Sequence, residues 1–90
     1  MTLPLGEVFC TMEALFAFAQ ALDEEPNTFL ARHATGDWGE LDEHDRKENE
    51  FGLKIGLRIL SSCTLSSGQR IWVITEADRS STTILLPSEY

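Results

Sequence analysis

The spacing of the apolar residues changes near Gly56, and this change constrains the fold more than any other feature of the sequence. Before it, Ala14, Phe18 and Leu22 recur at i, i+4 and i+8, which is one face of an α-helix. After it, residues 57–65 alternate in the manner of a β-strand with one buried face. Helices followed by a run of strands are typical of an α+β domain, in which the helices pack on one face of an antiparallel sheet.

Capping residues divide the first part of the chain into three predicted helices, over residues 12–22, 28–34 and 43–55. Thr11 and Asn27 are suitable N-caps for the first two helices. Asp42 caps the third, which begins with acidic residues that the helix dipole favours, and Gly56 ends it. Phe16 lies off the apolar stripe of the first helix, which predicts burial of this helix on more than one side.

Three strands are predicted in the second part of the chain, over residues 57–65, 70–76 and 82–86. Residues 66–69 have the composition of a hairpin turn, and Pro87 stops the third strand. Apolar residues occur on both faces of the second strand, with Trp72 and Ile74 opposite Val73. This pattern predicts that the second strand is the central one of an antiparallel β-meander.

The apolar lead-in at residues 3–10 forms either a short N-terminal strand or an extended arm, with Leu3, Leu5 and Val8 as the expected buried contacts. The length fits one domain. We therefore predict a single α+β domain over residues 1–90, with three N-terminal helices packed on one face of a C-terminal three-stranded antiparallel β-meander.

The charge is strongly uneven along the chain, whose net charge is −8. Residues 1–45 carry ten acidic side chains and one basic side chain, Arg32, whereas residues 46–90 carry five acidic and six basic ones. The acidity of the first half repels phosphate, which argues against direct binding of nucleic acid. It favours a protein partner with a basic surface, although a solvated, solubilising face would have the same composition.

The remaining global features predict a cytoplasmic protein. Cys10 and Cys63 are far apart and match no metal or redox spacing, so we expect two free thiols that behave as small apolar side chains. Residues 1–4 lack the basic flank and apolar region of a signal peptide, and no apolar run is long enough to span a membrane. The sequence leaves the oligomeric state open.

A first group of candidate functional residues is His33, Asp37 and Trp38, at the end of the second predicted helix. A histidine beside a carboxylate can act as a general base, and the spacing would also let both side chains reach one metal. No further ligands complete a standard metal site, so we expect no bound metal. The structural alternative is that His33 stabilises the end of the helix while Trp38 fills the edge of the core.

A second group lies in the polar connection between the last two predicted strands. Glu76, Asp78 and Arg79 stand there among several hydroxyl side chains, and loops held by rigid strands often carry functional groups. Arg79 has the geometry to bind a carboxylate or phosphate with two nitrogens. The structural alternative is a set of turn hydrogen bonds and an internal ion pair.

Motifs of the common enzyme classes are absent from the sequence. There is no P-loop, glycine-rich dinucleotide turn, nucleophile elbow or HExxH sequence, and no cluster of bases interleaved with aromatics. We therefore expect no cofactor. The mixed-charge run at residues 45–50 is typical of the solvated side of a helix.

Two stretches resemble a family of small bacterial proteins carried on plasmids and integrative elements: residues 29–39 (FLARHATGDWG) and 71–90 (IWVITEADRSSTTILLPSEY). The resemblance covers nearly the whole chain and includes Leu5-Gly6-x-Val8 in the lead-in. Members of that family are called plasmid-related proteins, and some are labelled as a type I restriction subunit M. That label implies a methyltransferase, for which this chain has neither the length nor the cofactor loop. The resemblance implies cargo of mobile elements rather than an activity.

The first functional hypothesis is a non-enzymatic, acidic protein-interaction module, acting as an inhibitor or mimic directed at a basic nucleic-acid-binding surface of a host protein. Its candidate binding residues are Asp37, Trp38, Glu40, Asp42, Glu43, Glu76, Asp78 and Arg79.

The alternative hypothesis is a small metal-independent ribonuclease, similar in outline to barnase- and RelE-like toxins. Such an enzyme would use His33 and Glu76 as the acid–base pair, with Arg79 stabilising the phosphate charge. This hypothesis requires His33 and Arg79 to point into one cleft, and the acidic balance of the chain counts against it.

Overall fold

A computed structural model describes residues 2–90, which form three helices and four strands. In chain order the elements are β1 (Glu7–Cys10), α1 (Met12–Gln20), α2 (Pro26–Ala34), α3 (Glu43–Ile55), β2 (Ile59–Thr64), β3 (Arg70–Thr75) and β4 (Ser81–Leu85), followed by a 3₁₀ turn at Pro87–Glu89. The predicted α+β class is confirmed. None of the helices in the described part of the chain is both long enough and apolar enough to cross a membrane.

The four strands form one mixed sheet in the order β1-β4-β3-β2. β2, β3 and β4 make the predicted antiparallel meander, with β3 inside the sheet. β1 lies parallel to β4, and the amide of Glu7 donates to the Ser80 carbonyl while that of Thr11 donates to the Ile84 carbonyl.

Of the two alternatives for the lead-in, the structure shows the short N-terminal strand, which extends the predicted three-stranded antiparallel sheet to a four-stranded mixed one. In the meander alone, the outer edge of β4 would present unpaired backbone groups, and β1 pairs with them. The predicted order is wrong, since the three helices lie between β1 and β2 rather than before every strand. A parallel neighbour needs a long connection, which these helices supply.

α1 and α2 cover one face of the sheet and enclose the larger part of the core. Phe18 of α1 packs against Phe29 of α2, with ring centroids 5.7 Å apart. Beneath them lie buried side chains of all three meander strands: Cys63, Ile71, Val73 and Ile84. A second, smaller cluster joins Leu3, Trp38 and Ile59.

α3 departs from the prediction, because it lies along the outer edge of β2 rather than over the sheet face. The buried side chain of Asn49 donates to the Leu60 carbonyl at 2.7 Å and accepts from the Leu60 amide at 3.1 Å. A side-chain amide thereby takes the place of a neighbouring strand. Gly52 permits this close approach, since a Cβ there would lie 3.2 Å from both the Arg58 carbonyl oxygen and the Ile59 side chain.

Other segments close the rest of the β2 edge. The Ser62 amide donates to the Trp38 carbonyl and the Ser62 carbonyl accepts from the Glu40 amide, while the Glu40 carboxylate accepts from the Thr64 amide. Together with Asn49, these contacts satisfy the outward backbone groups of Leu60 and Ser62 and the outward amide of Thr64. We call this arrangement the sealed β2 edge. Exposed strand edges promote unwanted pairing, and sealing prevents it.

Several predicted boundaries and burials are wrong, for local reasons. α1 ends at Gln20, so Leu22 is exposed, and Phe16 is exposed as well because only one side of α1 meets the sheet. α2 begins at Pro26, where the fixed backbone of proline suits the first helical position. The Asp42 cap of α3 is confirmed, since its carboxylate accepts from the Asp45 amide at 2.8 Å.

Candidate functional site

The most distinctive surface of the molecule is a groove between α3, the sealed β2 edge and the β3–β4 connection. Two adjoining depressions form it, with volumes of about 550 Å³ and 220 Å³, and they share Asp45 and Leu60. Five acidic and two basic side chains line it: Glu40, Asp42, Asp45, Glu48, Glu76, Arg58 and Arg70. Two neutral polar residues, Asn49 and Ser62, and five apolar ones complete it: Leu41, Leu57, Leu60, Trp72 and Ala77. We call it the acidic groove.

The position of α3 follows from its own sequence. Asp45, Asn49 and Gly52 lie on one face of the helix, and Glu48 stands beside them. Asn49 and Gly52 fix this face against β2, as described above. Asp45 and Glu48 are consequently held beside Leu60, at the mouth of the groove.

The carboxylates of the groove differ in how far they are already engaged. Glu40 contacts Arg70 at 3.4 Å as well as Thr64, and Asp42 caps α3. The side chains of Asp45 and Glu76 make no hydrogen bond or ion pair within residues 2–90, and Glu48 has only a 3.8 Å contact with the imidazole of exposed His44. Asp45, Glu48 and Glu76 therefore remain available to a ligand.

One side of the groove is aromatic. The guanidinium carbon of Arg58 lies 5.3 Å from the centre of the Tyr90 ring, and that ring meets Trp72 edge-on at 5.6 Å. Arg58 is held by this cation–π contact, and no carboxylate in the described part of the chain pairs with it. Aromatic surface beside free carboxylates suits side chains that combine an apolar stem with a positive end.

His33 lies inside the molecule and not on this surface. Its side chain is 1 % exposed. Its Nδ1 contacts the Ser61 hydroxyl and its Nε2 contacts the Thr75 hydroxyl at 2.9 Å. Thr75 contacts Thr82 at 2.7 Å, and the Thr82 hydroxyl donates to the Leu5 carbonyl at 2.7 Å. We call this chain the His33 network.

The direction of the hydrogen bonds in the His33 network can be deduced from the Leu5 carbonyl at its end, because a carbonyl can only accept. The Thr82 hydroxyl donates its only proton to the Leu5 carbonyl, so it accepts from the Thr75 hydroxyl. Thr75 has then donated its own proton and accepts from Nε2–H of His33. In the neutral imidazole Nδ1 then carries no proton, so it accepts from the Ser61 hydroxyl. Burial disfavours the charged form and lowers the pKa of His33 from 6.5 to about 4, so the imidazole in the network is neutral near pH 7.

The other members of the first predicted group also have structural partners. The Asp37 carboxylate pairs with Arg32 at 2.8 Å, and this hydrogen bond lowers the pKa of Asp37. Trp38 is buried against Leu3 and Ile59. Neither side chain lines the acidic groove.

Arg79, of the second predicted group, hydrogen-bonds to backbone carbonyls near the C-terminal end of α3. Its backbone is left-handed, with φ of 64°. Its guanidinium donates to the carbonyls of Leu57 at 2.6 Å, Gly52 at 3.1 Å and Glu76 at 3.1 Å. A positive group at the C-terminus of a helix stabilises the helix dipole. Arg79 is thereby committed to holding α3 against the loop.

The structure brings three of the five remaining predicted residues together in the acidic groove. Glu40, Asp42 and Glu76 line the acidic groove. The Ser80 side chain and, next, the Ser80 amide, which donates to the Asp78 carboxylate at 3.0 Å, lower the pKa of Asp78. Glu43 lies exposed on α3, 3.6 Å from Lys47.

The depression lined by His33 shares no residue with the one lined by Glu76, and Arg79 lines neither of them. This geometry offers no support to the ribonuclease hypothesis.

Sequence reasoning missed Asp45, Glu48 and Arg58 as groove residues. The mixed charges of residues 45–50 are those of a solvated helix face, which made this stretch indistinguishable from an ordinary surface. The available signal was Asn49, a polar residue poorly suited to a helix interior, one turn before Gly52. Those two residues mark the side of α3 that approaches another backbone.

Within residues 2–90, no three His, Cys, Asp or Glu side chains cluster in a way that could hold a metal ion. Comparison with protein-family models, with curated proteins and with solved structures found no match.

Proposed function

We propose that this chain is a non-enzymatic protein-interaction module of a mobile genetic element, and that its acidic groove binds a basic segment of a host protein. The observation that carries the proposal is the presence of three unengaged carboxylates, Asp45, Glu48 and Glu76, around an apolar floor. A partner that normally holds nucleic acid presents the complementary positive charge.

The composition of the groove supports a peptide segment rather than a small molecule or nucleic acid. Its five acidic side chains outnumber its two basic ones, so phosphate is repelled. Leu57, Leu60 and Trp72 offer apolar surface to the stems of lysine or arginine side chains. Each exposed ion pair contributes little to the affinity, so the proposed binding combines ion pairs with apolar contacts.

We expect a fluorescently labelled peptide that alternates arginine and leucine to bind the folded chain, with an affinity that falls as salt is added. The reason is screening of the exposed charges of the groove. Fluorescence anisotropy at low and high salt measures this. A peptide of equal length that alternates glutamate and leucine is the control, and it should not bind.

The triple variant Asp45→Asn, Glu48→Gln, Glu76→Gln should weaken that binding by at least about tenfold, given roughly 0.5 kcal/mol for each exposed ion pair. A matched variant, Glu13→Gln, Glu25→Gln, Glu50→Gln, removes the same charge from exposed positions that do not line the acidic groove. It should retain most of the affinity. Equal loss in both variants would show diffuse attraction to an acidic protein and would refute the groove as the site.

A further inference from the structure

The second edge of the sheet, formed by β1, is open. The amides of Glu7 and Thr11 point toward β4, as their hydrogen bonds to Ser80 and Ile84 show. Backbone groups alternate in direction along a strand, so those of Val8 and Cys10 point away from the sheet. Neither residue has a hydrogen-bond partner on that side within residues 2–90.

This open edge contrasts with the sealed β2 edge, where the outward groups of Leu60 and Ser62 are satisfied. β1 and the first turn of α1 carry exposed apolar side chains, Val8 by 47 %, Phe9 by 50 %, Met12 by 80 % and Leu15 by 47 %, together with the exposed acids Glu7 and Glu13. No proline, lysine or bulge blocks the edge. An unprotected apolar edge of this kind pairs readily with another strand.

We propose that β1 pairs with β1 of a second copy of this chain, in antiparallel orientation, to form a continuous sheet across a two-fold axis. The axis passes through Phe9, so that Val8 of each copy exchanges backbone hydrogen bonds with Cys10 of the other. The two Phe9 rings meet across the axis on the sheet face opposite α1. The helices of both copies lie on the other face.

The register argues for a second copy over an unrelated strand. The outward residues Val8 and Cys10 are two positions apart, so a two-fold axis through the residue between them satisfies all four of their outward N–H and C=O groups in each copy. In this register Glu7 lies opposite Thr11 of the other copy, so no two acidic residues occupy directly paired positions of the two strands.

The distribution of charge also supports a second copy of the chain as the partner of β1. The chain carries a net charge of −8, yet Val8, Phe9, Met12 and Leu15 are uncharged. The free carboxylates of the acidic groove lie beside β2, at the opposite edge of the sheet. Two copies that meet at β1 therefore keep their most acidic surfaces apart, whereas a basic partner is drawn to the groove.

The size of the exposed apolar surface sets the expected strength of dimerisation. The four exposed apolar side chains offer on the order of 400 Å² per copy, about half of what a standard interface buries on each partner. We therefore expect a reversible dimer, populated at high protein concentration and dissociating on dilution.

Sedimentation velocity over a range of concentrations should show this monomer–dimer equilibrium in the wild-type chain. Val8→Lys should weaken dimerisation by at least about tenfold, since lysine is a natural protector of strand edges. Val8→Pro removes an outward N–H that β4 does not use, so it should block pairing while the monomer stays folded by circular dichroism. Ser67→Lys, in the exposed β2–β3 turn, is the matched control and should dimerise like wild type.

Cross-linking tests the register. In a Cys10→Ala background, Phe9→Cys places two thiols at a non-hydrogen-bonded pair, where the Cα separation suits a disulfide. Mild oxidation should join the copies far faster than it joins the exposed control Glu25→Cys in the same background. A wild-type chain that stays monomeric at every concentration overturns the proposal. A dimer unaffected by Val8→Lys, or equal cross-linking at both positions, overturns it as well.

Discussion

Between pH 7 and pH 4 the free energy of unfolding should fall by about 3 kcal/mol because of His33 alone. Burial lowers the pKa of His33 in the folded chain to about 4, against 6.5 when it is unperturbed. The unfolded chain therefore binds a proton at a higher pH than the folded chain does. The stability that neutral His33 provides is complete above about pH 6.5, and it is lost progressively as the pH falls toward 4.

Urea unfolding at several pH values between 7 and 4 measures this loss. His33→Gln keeps a donor and an acceptor but cannot titrate, so its stability should be lower at pH 7 and nearly constant across this interval. His44→Gln removes an exposed histidine and should keep the wild-type slope. Equal slopes in wild type and His33→Gln would contradict a neutral His33 network.

Gly39→Ala should destabilise the fold by about 3 kcal/mol, through two effects that act together. The backbone of Gly39 is left-handed, with φ of 73°. A Cβ there would overlap the backbone carbonyl of Ser62 and lie 2.8 Å from the sulfur of Cys63. Since the obstructing carbonyl is backbone in the middle of β2, it cannot move aside without breaking the sealed β2 edge.

Gly36→Ala is the matched control for that substitution, because Gly36 has φ of 91° but no heavy atom within 4 Å of the position that an alanine Cβ would occupy. It should cost only about 1 kcal/mol, which is the backbone strain without the clash. Thermal unfolding of both variants measures the difference. Similar losses at the two positions would show that the close contact with Ser62 contributes little to stability.

The elements that the sequence predicts well are those whose signals are local. The helical repeat of α1, the Asp42 cap and Gly56 end of α3, and the alternation of β2 each depend on residues a few positions apart. The pairing of β1 with β4 depends on two distant segments, and four residues of lead-in carry no signal for which edge they join. That is why the sequence left open whether the lead-in forms a strand or an extended arm.

The candidate site was predictable only in its general character. The uneven charge predicted an acidic surface in the first half of the chain, and Glu40 and Asp42 from that half line the acidic groove together with Glu76. Asp45 and Glu48 join them because Asn49 attaches α3 to the edge of β2, a tertiary contact that helical periodicity does not reveal. In the same way, burial converts His33 from a potential general base into part of the interior.

The pairing of β1 with β4 also has a consequence for how the chain folds. Glu7 meets Ser81 at a sequence separation of 74 residues, so two distant segments must come together before the sheet is complete. Contacts of this range slow folding, because the entropy of closing the loop is lost before the contact forms. During synthesis β1 leaves the ribosome before β4 and has no strand to pair with until β4 follows. We expect the helices and the meander to assemble early, and the N-terminal segment to dock last.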